Sequence, residues 1–357
     1  MQHIPPPSEM IFKNGIRHPL LYLWDAWSFT ENDVMHLYCL ALSRVKQDGT
    51  ILKPIERNDF PFHIRHFTSN DDGNSWKDEG CFIAPESNAN KYTYRTIWSG
   101  SVKPLHNGRK LVAYTGIHGD DKDFQFLQNI VVAISDDGYE IQHRNSEPLS
   151  SAQRDWKSII EKGYFLDEIS NLGSTNGEGN GPIMAWRDPF IFFDASKKIN
   201  LFWSAKVSPK EAAIAHAIIE PKENSFQLTD LLPPIVLPNA QKYTQAELPK
   251  IYHDSSKDIY YLMVSTCNRL YEGQSDDEVD KGVRLYTSKN IRGPWDSLGD
   301  KILGSEHLFG PTVLKTDFRN NRLLCIAPYT DAANDIKSLT FSSTFYIYLD
   351  SLKVEFN

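Results

Sequence analysis

The strongest constraint on how this chain can fold is a recurrence of short alternating runs, each closed by a turn. KLVAYTGI (110–117), QNIVVAISDDG (128–138), PFIFFDASKKINLFWSA (189–205), DIYYLMVST (258–266), VRLYTS (283–288) and NRLLCIAPYT (321–330) are rich in β-branched and aromatic residues. Several are bounded by DG or DASKK turns, the mark of strands joined in antiparallel order. Helical periodicity is scarce. QRDWKSIIEKG (153–163) is the best helical candidate, and AAIAHAIIE (212–220), helical by composition, alternates well enough to be read as a strand. SNDDGNSWKDEG (69–80), AISDDGYEIQ (133–142) and TSKNIRGPWDSLG (287–299) form a degenerate repeat: a serine, a turn with glycine, then an aromatic residue. Such a repeat points to radial β-sheets, which leave few exposed edges.

No shift of composition divides the 357 residues, so one domain spanning 1–357 is expected, with 1–18 as an N-terminal extension. The Gly/Asn-rich EISNLGSTNGEGNGP (168–182) reads as a long loop rather than a boundary. Net charge is −8 and there is no basic run, which argues against a nucleic-acid partner. No stretch approaches the ~20 apolar residues of a membrane span. MQHIPPPSEMIFKNG lacks the basic and apolar regions of a secretory signal, so the expected location is cytoplasmic, or outside by another export route. Cys39, Cys81, Cys267 and Cys325 are scattered, with no CxxC pair, so free thiols are expected rather than zinc or a disulfide framework. Asp120, Asp121 and Asp123 cluster in GDDKDF without a DxDxDG loop, and a solvated acidic turn is the better reading than a metal site. No cofactor is expected.

Four stretches carry candidate chemistry. WDAW supplies Asp25 between Trp24 and Trp27; IWSGS supplies Trp98 and Ser99; AWRDPF supplies Arg187 and Asp188; QAELPKIY supplies Gln245 and Glu247. Each has a plain structural alternative: a turn cap at Asp25, a local ion pair at Arg187–Asp188, an exposed loop acid at Glu247, a simple turn at Ser99. Together they are three acids at strand edges, which a propeller would bring to one central channel. With 8 Trp, 16 Tyr and 19 Phe, most aromatic residues belong to the core, and a few are available as platforms for the C–H faces of a sugar.

In this order, WDAW, WSGS with a following strand ending in AYTG, WRDP, and the Glu–x–Pro–Lys–x–Tyr segment resemble glycoside hydrolase family 68, the levansucrases, inulosucrases and β-fructofuranosidases. NSWKDEGCFIAPES also resembles that family, and the likeness runs over about residues 20–330. It implies an all-β, five-bladed β-propeller with a central funnel-shaped active site. It further implies Asp25 as nucleophile, Asp188 as transition-state stabiliser with Arg187 beside it, and Glu247 as general acid and base. Trp24, Trp27 and Trp98 would belong to the fructosyl subsite with Ser99, which would hydrogen-bond near the nucleophile. One carboxyl has to hold a proton, and the expectation places it on Glu247 while Asp25 stays ionised with Ser99 as donor.

The chain also departs from the family. Where family 68 shows Asp-Glu-Ile-Glu-Arg, this chain has Thr244, Gln245, Ala246, Glu247 and Leu248. Cys267 or Asn268 stands near the place of an arginine that faces the leaving sugar. The implied function is a retaining hydrolase or transglycosylase on a small, non-standard fructoside, with the leaving-group side rebuilt. Two alternatives stay open: a family 43-like inverting arabinosidase or xylosidase, and a non-catalytic carbohydrate-binding propeller.

Overall fold

A computed structural model of the chain describes residues 4–88, 91–119, 126–173, 182–271, 274–302, 304, 307–330 and 337–357. The strands form five antiparallel sheets, each cut from one continuous stretch of sequence. Blade 1 holds Leu21–Glu31, Val34–Ser43, His63–Ser69 and Ser75–Ile83; blade 2 holds Thr96–Pro104, Lys110–His118 and Leu127–Ser135, with two short outer strands. Blade 3 runs from Arg187–Phe193 to Ser225–Leu231, blade 4 from Gln245–Asp254 to Asp296–Ser297, and blade 5 from Thr312–Asp317 to Lys353–Phe356. The first strands of blades 5, 1, 2, 3 and 4 pack in that succession, placing them at the inside of a five-bladed β-propeller.

Five apolar clusters hold the ring together, and each lies between two blades rather than within one. Tyr38 and Leu40 of blade 1 meet Val112 and Tyr114 of blade 2. Leu111 and Ile130 of blade 2 meet Trp203 and Ile219 of blade 3. Phe202 meets Leu262 between blades 3 and 4, Leu285 meets Phe345 between blades 4 and 5, and Leu37 meets Ile326 between blades 1 and 5. A middle strand is therefore covered on both faces. That explains why Lys110–His118 and Leu127–Ser135 read as nearly continuous apolar runs.

AAIAHAIIE is a strand, within Glu211–Lys222, as its alternation indicates. The helix forms, shorter than the sequence suggests, over Trp156–Glu161. Cys39, Cys267 and Cys325 are buried free thiols, and Cys81 is a free thiol on the surface. The acidic GDDKDF turn, and 174–181 of the Gly/Asn-rich stretch, lie outside the described residues. Among the described residues no helix is long and apolar enough to cross a membrane.

The N-terminal segment is woven into blade 1. Ile11–Lys13 pairs with the outer strand Ser75–Ile83. Buried Arg65 grips Asp78 through Nε (2.7 Å) and Nη2 (2.6 Å) and donates to the carbonyls of Pro5 and Pro6 (2.5 and 2.8 Å). The seam between blades 5 and 1 is closed by an Ile16–Phe341 bridge and by Leu23 N–H donating to Leu339 O at 2.8 Å.

Candidate active site

The inner strands of blades 1 to 4 each break register once, at the residues singled out by sequence. The breaks fall between Trp24 and Ala26, Trp98 and Gly100, Arg187 and Phe190, and Glu247 and Lys250. A bulge adds an unpaired residue and re-aims its side chain, here toward the central channel. Asp25, Asp188 and Leu248 sit at φ 41°, 63° and 53°, in the left-handed region that side-chain-bearing residues seldom occupy. The strain is held by specific contacts. Asp188 N–H donates to Thr115 Oγ1 at 2.9 Å, and its carboxylate accepts from Ser99 Oγ and from Leu248 N–H at 3.2 Å. At Gly100 a Cβ would stand 1.9 Å from Ala113 O, so only glycine lets blade 2 carry its bulge this close to the next strand.

These bulges surround one cavity of about 120 Å³. Its wall includes Asp25, Asp188 and Glu247, and beside them Trp24, Trp98, Ser99 and Arg187. Pockets for drug-sized ligands run to several hundred Å³, so this one encloses a single small ring. Two sequence candidates lie elsewhere. Trp27, 2% exposed, is in the core between blades 1 and 2. With Asp25 bulged out, Trp27 falls on the same strand face as Trp24 but two positions further along, about 7 Å from it along the strand. Gln245 is behind the wall, where its Oε1 accepts from Arg187 Nη2 at 2.5 Å.

Arg187 organises the acids. Its Nη2 also reaches Glu247 Oε1 at 2.7 Å, its Nη1 donates to Met184 O, and its Nε lies 3.9 Å from Asp188 Oδ2. The guanidinium stands 6.0 Å from the Trp98 ring centroid. Burial pushes Asp25 up from 3.8 to about 8, helped by the negative charges of Asp188 and Glu247 and opposed by Lys250 and Arg187. Asp188 is also raised by burial, with Arg187, Ser99 and the Leu248 N–H pulling the other way. The sequence reading made Ser99 the donor that keeps Asp25 ionised. Instead Ser99 Oγ donates to Asp188, and among the described residues no hydrogen bond lowers Asp25 against its burial.

Several residues of the site gave no signal in the sequence reading. Lys250 is 3% exposed, donates to Gly310 O at 3.1 Å, and is lowered to about 8 by burial; the remaining charge favours an ionised Asp25. Gln128 lines the cavity, its Oε1 accepting from Trp186 N–H at 2.7 Å and its Nε2 donating to Met184 O at 3.3 Å. Arg57, Asn58 and Phe62 reach the same cavity from the loop between the second and third strands of blade 1. A larger groove, between Asn145–Ser158 and Lys222–Leu231 on the outer side of blades 2 and 3, gathers no comparable set of acids.

No family model matches the chain, and no curated protein sequence matches it. Its structure is similar to a Bacillus subtilis levansucrase variant in complex with oligosaccharides, at TM-score 0.63 and 15% identity, over 96% of this chain and 88% of that one. A B. megaterium levansucrase variant matches at TM-score 0.64 and 14% identity, over 96% and 87%. A Bombyx mori GH32 beta-fructofuranosidase variant in complex with sucrose matches at TM-score 0.64 and 14% identity, over 99% of this chain and 66% of that one. At such identities the likeness establishes a shared fold, a five-bladed propeller over nearly the whole chain.

Proposed function

We propose that this protein is a retaining glycoside hydrolase or transglycosylase that cleaves the β-fructofuranosidic bond of a small fructoside. The observation that carries the reading is the meeting of Asp25, Asp188 and Glu247 around one ring-sized cavity, with Arg187 among them. The neighbouring folds, named as levansucrases and a beta-fructofuranosidase, support the same substrate class.

In the first step an Asp25 carboxylate oxygen attacks the anomeric carbon, the bond to the leaving oxygen breaks, and Glu247 gives that oxygen its proton. In the second step Glu247 takes a proton from water, which attacks the anomeric carbon and frees Asp25; a sugar hydroxyl in place of water gives transfer. Positive charge builds on the ring in each transition state. The carboxylates of Asp25 and Asp188 are the anions that face this developing charge, while Glu247 supplies the proton to the leaving oxygen. Asp188, fixed by Ser99 and the Leu248 N–H, is positioned to accept from ring hydroxyls, and Trp24 and Trp98 offer flat walls.

One observation favours a second reading. With Asp25 raised to about 8, its carboxyl favours the protonated form at neutral pH, and a protonated acid donates a hydrogen bond rather than attacks. A carbohydrate-binding propeller without turnover would have the same cavity. Product analysis with sucrose, inulin, levan and small fructosides separates the two, with calorimetric titration of the same compounds. Turnover that falls at least about 10²-fold in both Asp25→Asn and Glu247→Gln supports the enzyme. Binding without turnover by intact protein overturns it, and inversion in the first product seen by NMR overturns the covalent step.

A further inference from the structure

The cavity has a closed end and an open end. Ser99 and Gln128, each 1% exposed, and Asp188, 5% exposed, line its inner part, whereas Asn58 is exposed and Arg57 half-buried. A ring seated on Asp25 and Asp188 therefore directs its leaving group toward Arg57 and Asn58. On the blade 4 side the wall offers Leu248, whose N–H is already committed to Asp188, and nearby Phe309. Leu248 lies close against Gly310, where a Cβ would stand 2.2 Å from its Cδ1.

We infer that the leaving group is read by the blade 1 turn Pro54–Asp59, through Arg57 and Asn58, against an apolar wall of Leu248 and Phe309. The inference rests on the fructoside reading and names the half of the substrate that reading leaves open: an aglycone rich in oxygen acceptors, with an apolar face. The turn is built to hold its shape. Glu56 accepts from Lys53 N–H and from Lys46 Nζ, both at 2.8 Å, and Arg57 Nη1 donates to Pro54 O at 3.1 Å. Past the turn, Phe62 N–H donates to Thr96 Oγ1 at 2.7 Å, and the Phe62 ring meets Trp24 edge-on with centroids 4.8 Å apart. The donors at the mouth are thus tied to the wall beside the nucleophile. A guanidinium carries five N–H donors, so Arg57 can serve the turn and also donate to vicinal hydroxyls of a second sugar or to a phosphate carried by it.

The test compares kcat/KM for sucrose, sucrose phosphorylated on its glucose, and p-nitrophenyl β-fructofuranoside, whose leaving group has no hydroxyl or anion. The proteins are wild type, Arg57→Ala, Arg57→Gln and Asn58→Ala, and activity on the aryl substrate reports that each variant is folded. Arg57→Ala is expected to lower the ratio of sugar to aryl kcat/KM at least about tenfold. Loss confined to the phosphorylated sugar assigns the fork to an oxyanion, and loss on plain sucrose assigns it to hydroxyls. Equal losses on all three substrates, or unchanged ratios, overturn the inference while the fructoside reading stands. Wild type that hydrolyses none of the three overturns both.

Discussion

The raised carboxyl of Asp25 makes a thermodynamic prediction that needs no substrate. In the unfolded chain Asp25 releases its proton near 3.8; in the native cavity burial and the charges of Asp188 and Glu247 hold it to about 8. A carboxyl raised on folding contributes stability that is complete below the unfolded value and is lost as pH rises through the folded value. Over that window stability falls by about 1.4 kcal/mol per pH unit, which integrates to a ceiling of about 4 kcal/mol by pH 7. Water in the open cavity and the coupled charges of Arg187 and Lys250 screen part of this, so about half is expected. Asp25→Asn removes the titration and keeps the shape. Urea unfolding of wild type and variant should therefore give nearly equal midpoints at pH about 4, and a variant more stable by about 2 kcal/mol or more at pH about 7. Groups that do not interact with Asp25 cancel in the difference. A difference that stays constant between these pH values refutes the reasoning that burial and like charges keep the proton on Asp25.

If Asp25 is the nucleophile, kcat/KM should climb roughly tenfold per pH unit toward about 8, and a plateau already reached near pH 5 would exclude this. Replacing Lys250 by Met removes a cation that favours ionised Asp25, so the acid limb should move to higher pH in a pH–rate profile. Arg187→Lys gives up the fork that holds Glu247, Gln245 and the Met184 carbonyl together, and kcat/KM should drop roughly 10²-fold; a loss under threefold would show that a single charge suffices. His63 is fully buried with neither ring nitrogen hydrogen-bonded and is lowered to about 3 by burial, while His66 beside the same sheet is held well below its ordinary 6.5. The unfolded chain takes up these protons below about 6.5 and the native one does not, so stability should fall as pH drops from 7 to 5. In His63→Leu that slope should be shallower by calorimetric melting, and an unchanged slope would clear His63 of the effect.

The sequence shows the blades well because each strand is short, alternating or apolar, and ends in turn residues. It also points to the three acids, since Asp25 stands between the tryptophans of WDAW, Asp188 precedes Pro189, and Glu247 lies two residues before Pro249. What it hides are consequences of the bulges and of the ring. The extra residue at Asp25 puts Trp24 and Trp27 on one face of the strand, whereas alternation counted straight through WDAW puts them on opposite faces. Lys250 looks like an ordinary lysine of QAELPKIY, yet the bulge at Leu248–Pro249 turns it inward. Ser99 finds Asp188 rather than Asp25, a choice between two neighbouring blades that the sequence does not make. Arg57 and Asn58 sit in a stretch with no strand pattern at all, and only closure of the ring brings them over the cavity.

Because every blade is an unbroken piece of chain, new ends cut into any inter-blade connection and old ends joined would leave all five sheets whole. The three acids of the cavity, in contrast, are contributed one per blade, by the first, third and fourth. If they react as proposed, circular permutants should divide sharply into those that shut the circle and work and those that stay gapped and are inert, making turnover itself a gauge of whether the last seam has sealed.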